Sequence, residues 1–337
     1  MRIKLLAVGF LALATAGCER LPKSLDSAGR GAEMIADLFW FFTAVSAIIW
    51  IGVVAALIAA LFRRRDRTSE RNAEETDRAA HDRAARVVVT AVGATVVTLL
   101  ALTAASYFTD RGLVNLTGDN ALTIDVSARQ WWWAAEYASS DPSQRVTTAN
   151  ELHIPVGTPV NLKLSSADVI HSFWVPELTG KQDLVPGRQN VLRLIATRPG
   201  VYRGQCAEFC GLQHAHMAII VVAEAPKDFE AWRQRQLAPA VEPATDEARR
   251  GREVFLQKPC VMCHKISGTP AGSRAGPDLT HVASRRGLAA NTLPFTRGSL
   301  AAWIADPQSV KPGSKMPLTQ LTADELNAVV AYLEGLQ

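Results

Sequence analysis

Two uncharged stretches, Leu38 to Phe62 and Val87 to Thr109, set the first limit on what this chain can become. Each exceeds the roughly 20 apolar residues that a helix needs to cross a hydrocarbon core of about 30 Å. The polar segment between them opens with Arg63-Arg64-Arg65, which by the positive-inside rule keeps that loop cytoplasmic and sends both ends of the chain outward. The N-terminus agrees with this orientation. Arg2 and Lys4 precede an apolar stretch from Leu5 to Ala14 and then Ala-Thr-Ala-Gly-Cys ending at Cys18, the layout of an export signal over residues 1–18.

The end of that signal is similar to a bacterial lipoprotein box in which Cys18 is lipidated, with Thr15 where an aliphatic residue is usual. An ordinary signal peptide cut nearby is the alternative. The expected hairpin covers residues 34–111, with its cytoplasmic loop at 63–86. This places the chain in a bacterial plasma membrane with two spans.

After Arg111 the texture changes to short runs rich in Val, Ile, Leu and Thr, broken by Gly, Pro, Asn and Asp. Six of them, Leu122–Val126, Glu151–Ile154, Pro159–Leu164, Asn190–Ala196, Gly200–Gly204 and Ala218–Ala223, read as strands at the spacing of an antiparallel sandwich or barrel. An all-β domain is expected over 112–225. A short helix at Lys227–Gln236 and an Ala/Pro-rich stretch after it make 226–244 a linker. From Thr245 the pattern is helical, from Asp246–Gln257 to Ala323–Leu336, the latter opened by the capping-box spacing Thr322-x-x-Glu325. An all-α domain is therefore expected over 245–337.

At 337 residues and 48% hydrophobic, the chain has material for two cores beside the membrane helices. Its net charge is only +4, and its Lys and Arg are not interleaved with aromatics as a nucleic-acid surface requires, so nucleic acid is excluded as a partner. Residues 112–225 carry more acids than bases and residues 245–337 the reverse, a complementarity that favours docking of the two domains.

Four of the five cysteines come in close pairs, which points to metal or cofactor chemistry. Cys260-Val-Met-Cys263-His264 is the Cys-x-x-Cys-His signature of covalent haem attachment: the thiols take thioether bonds and the imidazole becomes an iron ligand. A zinc knuckle would want two further Cys or His at regular spacing, and only His281 follows. The second axial ligand should be Met316, the only Met beyond the motif, with His281 the lesser candidate. Here the chain resembles class I cytochromes c. That resemblance implies that Pro277, in Gly276-Pro277-Asp278-Leu279, offers its carbonyl to the haem-ligating histidine.

The densest set of metal-capable groups is Cys206-Ala-Glu-Phe-Cys210-Gly-Leu-Gln-His214-Ala-His-Met217. Two thiolates, an imidazole and a thioether select a soft metal, copper fitting best, with a structural disulfide as the alternative for the Cys pair. With these residues, residues 34–225 resemble cytochrome c oxidase subunit II: a two-helix transmembrane hairpin followed by a cupredoxin Greek-key barrel carrying the binuclear copper centre CuA. The resemblance implies that Cys206 and Cys210 bridge two coppers and that His171 and His214 bind one each. Met217 and the Glu208 carbonyl complete the set, and the Glu208 side chain binds magnesium at the boundary with the catalytic subunit. Gln130-Trp131-Trp132-Trp133 matches the aromatic run through which that family receives electrons, which implies an exposed docking patch with Trp131 at its head. His153, His216 and His81 are expected to hold no metal.

The pattern departs from the family at the start of the second span. Many members place a Glu there at the mouth of a proton path, but this stretch reads Arg83-Ala-Ala-Arg86-Val-Val, with Asp82 the nearest acid. The expected function is electron input to a respiratory haem–copper oxidase, from a cytochrome c or similar donor through haem c and CuA to catalytic subunit I. A CuA nitric oxide reductase subunit and a membrane-tethered copper chaperone are the alternatives.

Overall fold

A computed structural model describes residues 23–62, 73–116 and 121–337; Cys18 and Arg63 to Arg65 lie outside the described residues. Two long helices come first, α1 (Arg30–Phe62) and α2 (Ala73–Val114). Both extend beyond the uncharged runs because nothing in the flanking polar residues breaks a helix. Large apolar side chains such as Trp50, Leu61, Phe62 and Val89 stand exposed along them, as on helices whose solvent is lipid. The hydroxyls of Thr43, Thr95 and Thr98 donate to the carbonyl four residues earlier at 2.8, 2.9 and 2.8 Å, so they add no unsatisfied polar group to the apolar surface.

The segment before Met34 belongs with the domains that follow α2. Its backbone pairs with the β domain through Ala28 N–H to Glu177 O at 2.7 Å and Thr197 N–H to Ala28 O at 2.8 Å.

The β domain has ten strands: β1 (Leu122–Arg129), β2 (Trp132–Tyr137), β3 (Val146–Ala149), β4 (Glu151–Pro155), β5 (Val160–Ser166), β6 (His171–Trp174), β7 (Gln182–Leu184), β8 (Asn190–Leu194), β9 (Gly200–Cys206) and β10 (Ala218–Glu224). They form two five-stranded sheets, ordered β3-β2-β1-β5-β8 and β4-β10-β9-β6-β7. Pairing is antiparallel except β1 with β5 and β4 with β10. Alternate residues of β1, β2 and β5 are buried, the period-2 signature of a sheet with one face on the core. That core holds Trp133, Phe173, Ile124, Leu162 and Leu164.

Four strands beyond the six expected are present among the described residues, β2, β3, β6 and β7. Helix α3 (Pro226–Leu237) spans the short helix expected at Lys227–Gln236 within 226–244. Phe229 and Trp232 are buried in the β core, and Trp232 stacks on His153 with centroids 4.2 Å apart and planes at 8°. Only the residues after Leu237 are spacer.

The last domain contains α4 (Asp246–Gln257), the two-residue strands β11 (Gly287–Leu288) and β12 (Leu293–Pro294), α5 (Arg297–Ala305), α6 (Pro307–Val310) and α7 (Ala323–Glu334). Helices α4 and α7 cross where Gly251 lets the backbones meet: a Cβ there would lie 1.8 Å from the Ala328 carbonyl oxygen. Phe255 and Tyr332 pack beside the crossing, centroids 6.1 Å apart. Thr245 caps α4 by accepting from Ala248 N–H, and Thr322 with Glu325 closes a full capping box on α7.

Candidate metal and haem centres

Strand β6 opens with His171, β9 closes with Cys206, and the loop from Cys206 to Met217 returns to β10, so two adjacent strand ends and one loop supply every donor. The Cys206 and Cys210 sulfurs lie 3.8 Å apart as free thiols, not a disulfide. His171 Nδ1 is 3.8 Å from Cys206 Sγ, and His214 Nδ1 is 3.5 Å from Cys210 Sγ. Met217 Sδ lies 3.9 Å from Cys210 Sγ, and the Glu208 carbonyl 3.2 Å from Cys206 Sγ. Donors about 2.3 Å from a tetrahedral metal stand roughly 3.8 Å from one another, so this spacing fits soft-metal coordination. All six donor groups named from the sequence are brought together.

His171 is fully buried, with its Nε2 turned to Asp168 Oδ1 at 2.9 Å, which leaves Nδ1 for the sulfur side. Burial opposes ionisation of Asp168, but the bonds from His171 and from the Gln130 and Val169 N–H groups outweigh it and hold the carboxyl below the usual range. The bond with Cys210, aided by His171 and the Glu208 and Ser172 backbone, draws the Cys206 thiol down to about 4, and the same contact pushes Cys210 up.

The remaining histidines are engaged otherwise. His153 lies between Glu224 Oε1 at 2.8 Å and Glu151 Oε1 at 3.2 Å, and His216 faces Gln213 Oε1 at 2.8 Å. His81 is exposed on α2.

In the helical domain, Cys260 and Cys263 are free and half-buried around a 3₁₀ turn, Pro259–Met262. His264 Nδ1 donates to the Pro277 carbonyl at 2.8 Å, and no hydrogen bond among the described residues reaches its Nε2. Burial lowers the His264 pKa against the pull of that carbonyl, and Arg285 lowers it further. Gly276 makes the close approach possible: a Cβ there would stand 3.0 Å from His264 Cε1. Met316 is half-buried, its carbonyl fixed by Gln308 Nε2 at 2.8 Å. His281 is engaged on both nitrogens, with Gln337 O at 2.8 Å and Ala238 O at 3.0 Å.

The aromatic run departs from the expected exposed patch. Trp131 is only 8% exposed, because the loop before Met316 lies over it, and Trp133 is fully buried on the core face of β2 against Phe173. The Trp131 indole N–H donates to the Cys210 carbonyl at 2.9 Å, and Gln130 Nε2 donates to the same oxygen at 2.8 Å. Lys311, which sequence reasoning did not single out, is buried beside it and donates to the Trp131 carbonyl at 2.7 Å. Nothing in its local sequence marks a surface-type residue for burial.

Comparison with known proteins meets this geometry at both centres. Residues 141–224 match the family described as cytochrome c oxidase subunit II, periplasmic domain, and residues 248–337 match cytochrome c. The chain is 34% identical to cytochrome c oxidase subunit 2 of Alkalihalophilus pseudofirmus, over 99% of this chain and 97% of that one. It is 33% identical to the subunit 2 of Bacillus sp. strain PS3 over 65% of this chain and 63% of that one, and 32% identical to that of Bacillus subtilis over the same shares. The first domain implies copper and the second haem, which the donor sets above fit. With nearly the whole chain aligned to one such relative, this protein belongs to the cytochrome c oxidase subunit 2 family and carries a cytochrome c domain at its C-terminal end.

Proposed function

We propose that this subunit delivers electrons to a respiratory haem–copper terminal oxidase by way of its own two domains. Electrons arrive from a cytochrome c or similar donor at the helical domain, cross to the β domain, and leave to catalytic subunit I, where dioxygen is reduced to water. The convergence of two free thiols, two imidazoles, a thioether and a carbonyl at 3.2–3.9 Å carries this reading.

On this reading His171, Cys206, the Glu208 carbonyl, Cys210, His214 and Met217 hold binuclear CuA. Cys260 and Cys263 bind haem c covalently, with His264 and Met316 as its axial ligands. Bound there, the two centres supply one-electron redox chemistry. The chain's part is to keep geometry fixed while charge changes. Asp168 sets the tautomer and tilt of His171, the Pro277 carbonyl does the same for His264, and the sandwich holds the donor loop between β9 and β10. Trp131, bonded to the Cys210 carbonyl and lying under the loop before Met316, supplies the contact between the domains. The Glu208 side chain is free to take magnesium at the boundary with subunit I.

The domains are then a signal peptide at 1–18 ending on lipidated Cys18, a hairpin at 34–111, the copper domain at 112–225 extended by α3, and the cytochrome domain at 245–337. The hairpin crosses the bacterial plasma membrane with both termini outside, as Arg63 to Arg65 require. The decisive experiment loads the full chain with copper and haem. A mixed-valence EPR spectrum with hyperfine coupling to two equivalent coppers supports the assignment, and a single mononuclear copper signal overturns it.

A further inference from the structure

The boundary between the copper and cytochrome domains is built from buried polar groups that have partners across it. Lys311 is 3% exposed, and its Nζ donates to Trp131 O at 2.7 Å and Ala289 O at 3.0 Å. Gln213, 5% exposed, donates to Pro312 O at 2.8 Å. Asn291 Nδ2 donates to Asn150 O at 2.9 Å, Ala218 N–H to Ala290 O at 3.2 Å, and Arg286 N–H to Glu151 Oε2 at 3.0 Å. Ala289, Ala290 and Asn291 all hold positive φ, at 51°, 57° and 58°, a conformation that non-glycine residues adopt only where surrounding contacts impose it.

Lys311 is the most deeply buried of these side chains, and its burial is costly unless it is satisfied. An ammonium withdrawn from water needs acceptors, and both of its acceptors are carbonyls at this boundary. One belongs to Trp131, whose ring lies 3.6 Å from where a Cβ on Gly313 would stand, and the other to the left-handed turn. Lys311 also sits on the segment that leads to Met316. The rim pair Arg274–Glu136, 3.4 Å apart with Arg274 71% exposed, is the solvated kind of contact that contributes little.

We infer that Lys311 is a positioning residue that seats the cytochrome domain on the copper domain, by holding the Trp131 carbonyl beneath the loop that leads to Met316. The seat closes Trp131 to any soluble donor, so an external cytochrome must dock on the helical domain instead. The consequence for electron delivery rests on the path proposed above; the seat itself rests on the geometry alone.

The test uses the intact oxidase carrying Lys311→Met, with Arg274→Ala as the rim control. Three quantities are measured: amide hydrogen exchange over residues 130–133 and 312–314, the internal haem-to-copper transfer rate after flash reduction, and steady-state kcat and KM with an external cytochrome. In Lys311→Met, exchange in both segments rises at least tenfold and internal transfer slows at least tenfold. The KM for the external donor stays constant, and the Met-to-iron absorption band and copper EPR signal are retained. Arg274→Ala changes none of these. Unchanged exchange overturns the seat, as does loss of the Met-to-iron band or the copper signal, which would make Lys311 a general folding residue. Faster exchange with unchanged internal transfer keeps the seat and removes the electron path instead.

Discussion

The Nε2 of His171 bonds Asp168 Oδ1 over 2.9 Å while its Nδ1 faces Cys206 Sγ at 3.8 Å, so one carboxylate aims the imidazole at the sulfur pair. Asp168 also accepts from Gln130 N–H at 2.7 Å, tying the copper donor to the residue before Trp131. Replacing Asp168 by Ala should weaken copper retention by about 10- to 100-fold, the usual loss when the group orienting a ligand is removed. Copper content of the purified full chain after dialysis against a graded chelator reads this directly. Retention equal to that of the parent would show that β6 alone orients His171.

Met316 is the expected sulfur ligand to haem iron, and its loop is pinned by Gln308, which donates to the carbonyls of Ser314 at 2.9 Å and Met316 at 2.8 Å. Met316→Ala should abolish the far-red Met-to-iron absorption band of the oxidised haem and lower its reduction potential. A band that persists in the variant would exclude Met316 as the ligand.

The helix closing the cytochrome domain depends on its N-terminal cap. Thr322→Ala should cost about 1 kcal/mol, read as an earlier denaturant midpoint of the haem absorbance. The reciprocal bond from Thr322 N–H, with Lys258 beside it, holds the Glu325 carboxyl below its ordinary 4.5. A depressed carboxyl contributes stability above its unfolded value and loses it as pH falls through the folded one. The midpoint difference between the parent and Glu325→Gln should therefore be present at pH 7 and shrink below pH 4.5. A difference that grows toward acid would contradict the cap.

Helix α3 is part of the copper domain, since Trp232 lies 5.2 Å from the Tyr137 ring and stacks on His153. Trp232→Ala should destabilise that domain by about 3–5 kcal/mol, the range for removing a buried large aromatic. Thermal unfolding followed by the copper absorption would show it. A shift no larger than that of a substitution at exposed Val241 would return α3 to the spacer.

Chemistry was more legible in the sequence than placement. Most of the metal and haem donors lie in two short motifs, Cys206–Met217 and Cys260–His264, with His171 and Met316 apart from them, and their residue types restrict the metals they can hold whatever fold surrounds them. β10 announced itself because β-branched and apolar residues run without interruption from Ala218 to Ala223, and β5 because apolar and polar residues alternate from Val160 to Leu164. β2 did not: Trp-Trp-Ala-Ala-Glu-Tyr mixes large and small side chains, and its pairing with β1 on one side and β3 on the other makes it a strand. The burial of Trp131 was equally hidden. An aromatic run looks the same whether it faces solvent or a neighbouring domain, and the loop covering it arrives some 180 residues later.

The spacer after α3 is itself fastened to the cytochrome domain, by Ala240 N–H to Ser267 O at 3.0 Å and by the Ala238 carbonyl to His281. What is left of the spacer is short, and the cytochrome domain beyond it is already seated on the copper domain through Lys311 and Gln213, so it sweeps no tether volume. Its effective concentration at the copper domain is then in the millimolar range or above. Dilution and added salt should slow the collision with an outside cytochrome while leaving the internal transfer rate nearly unchanged, converting an encounter into a fixed-distance event.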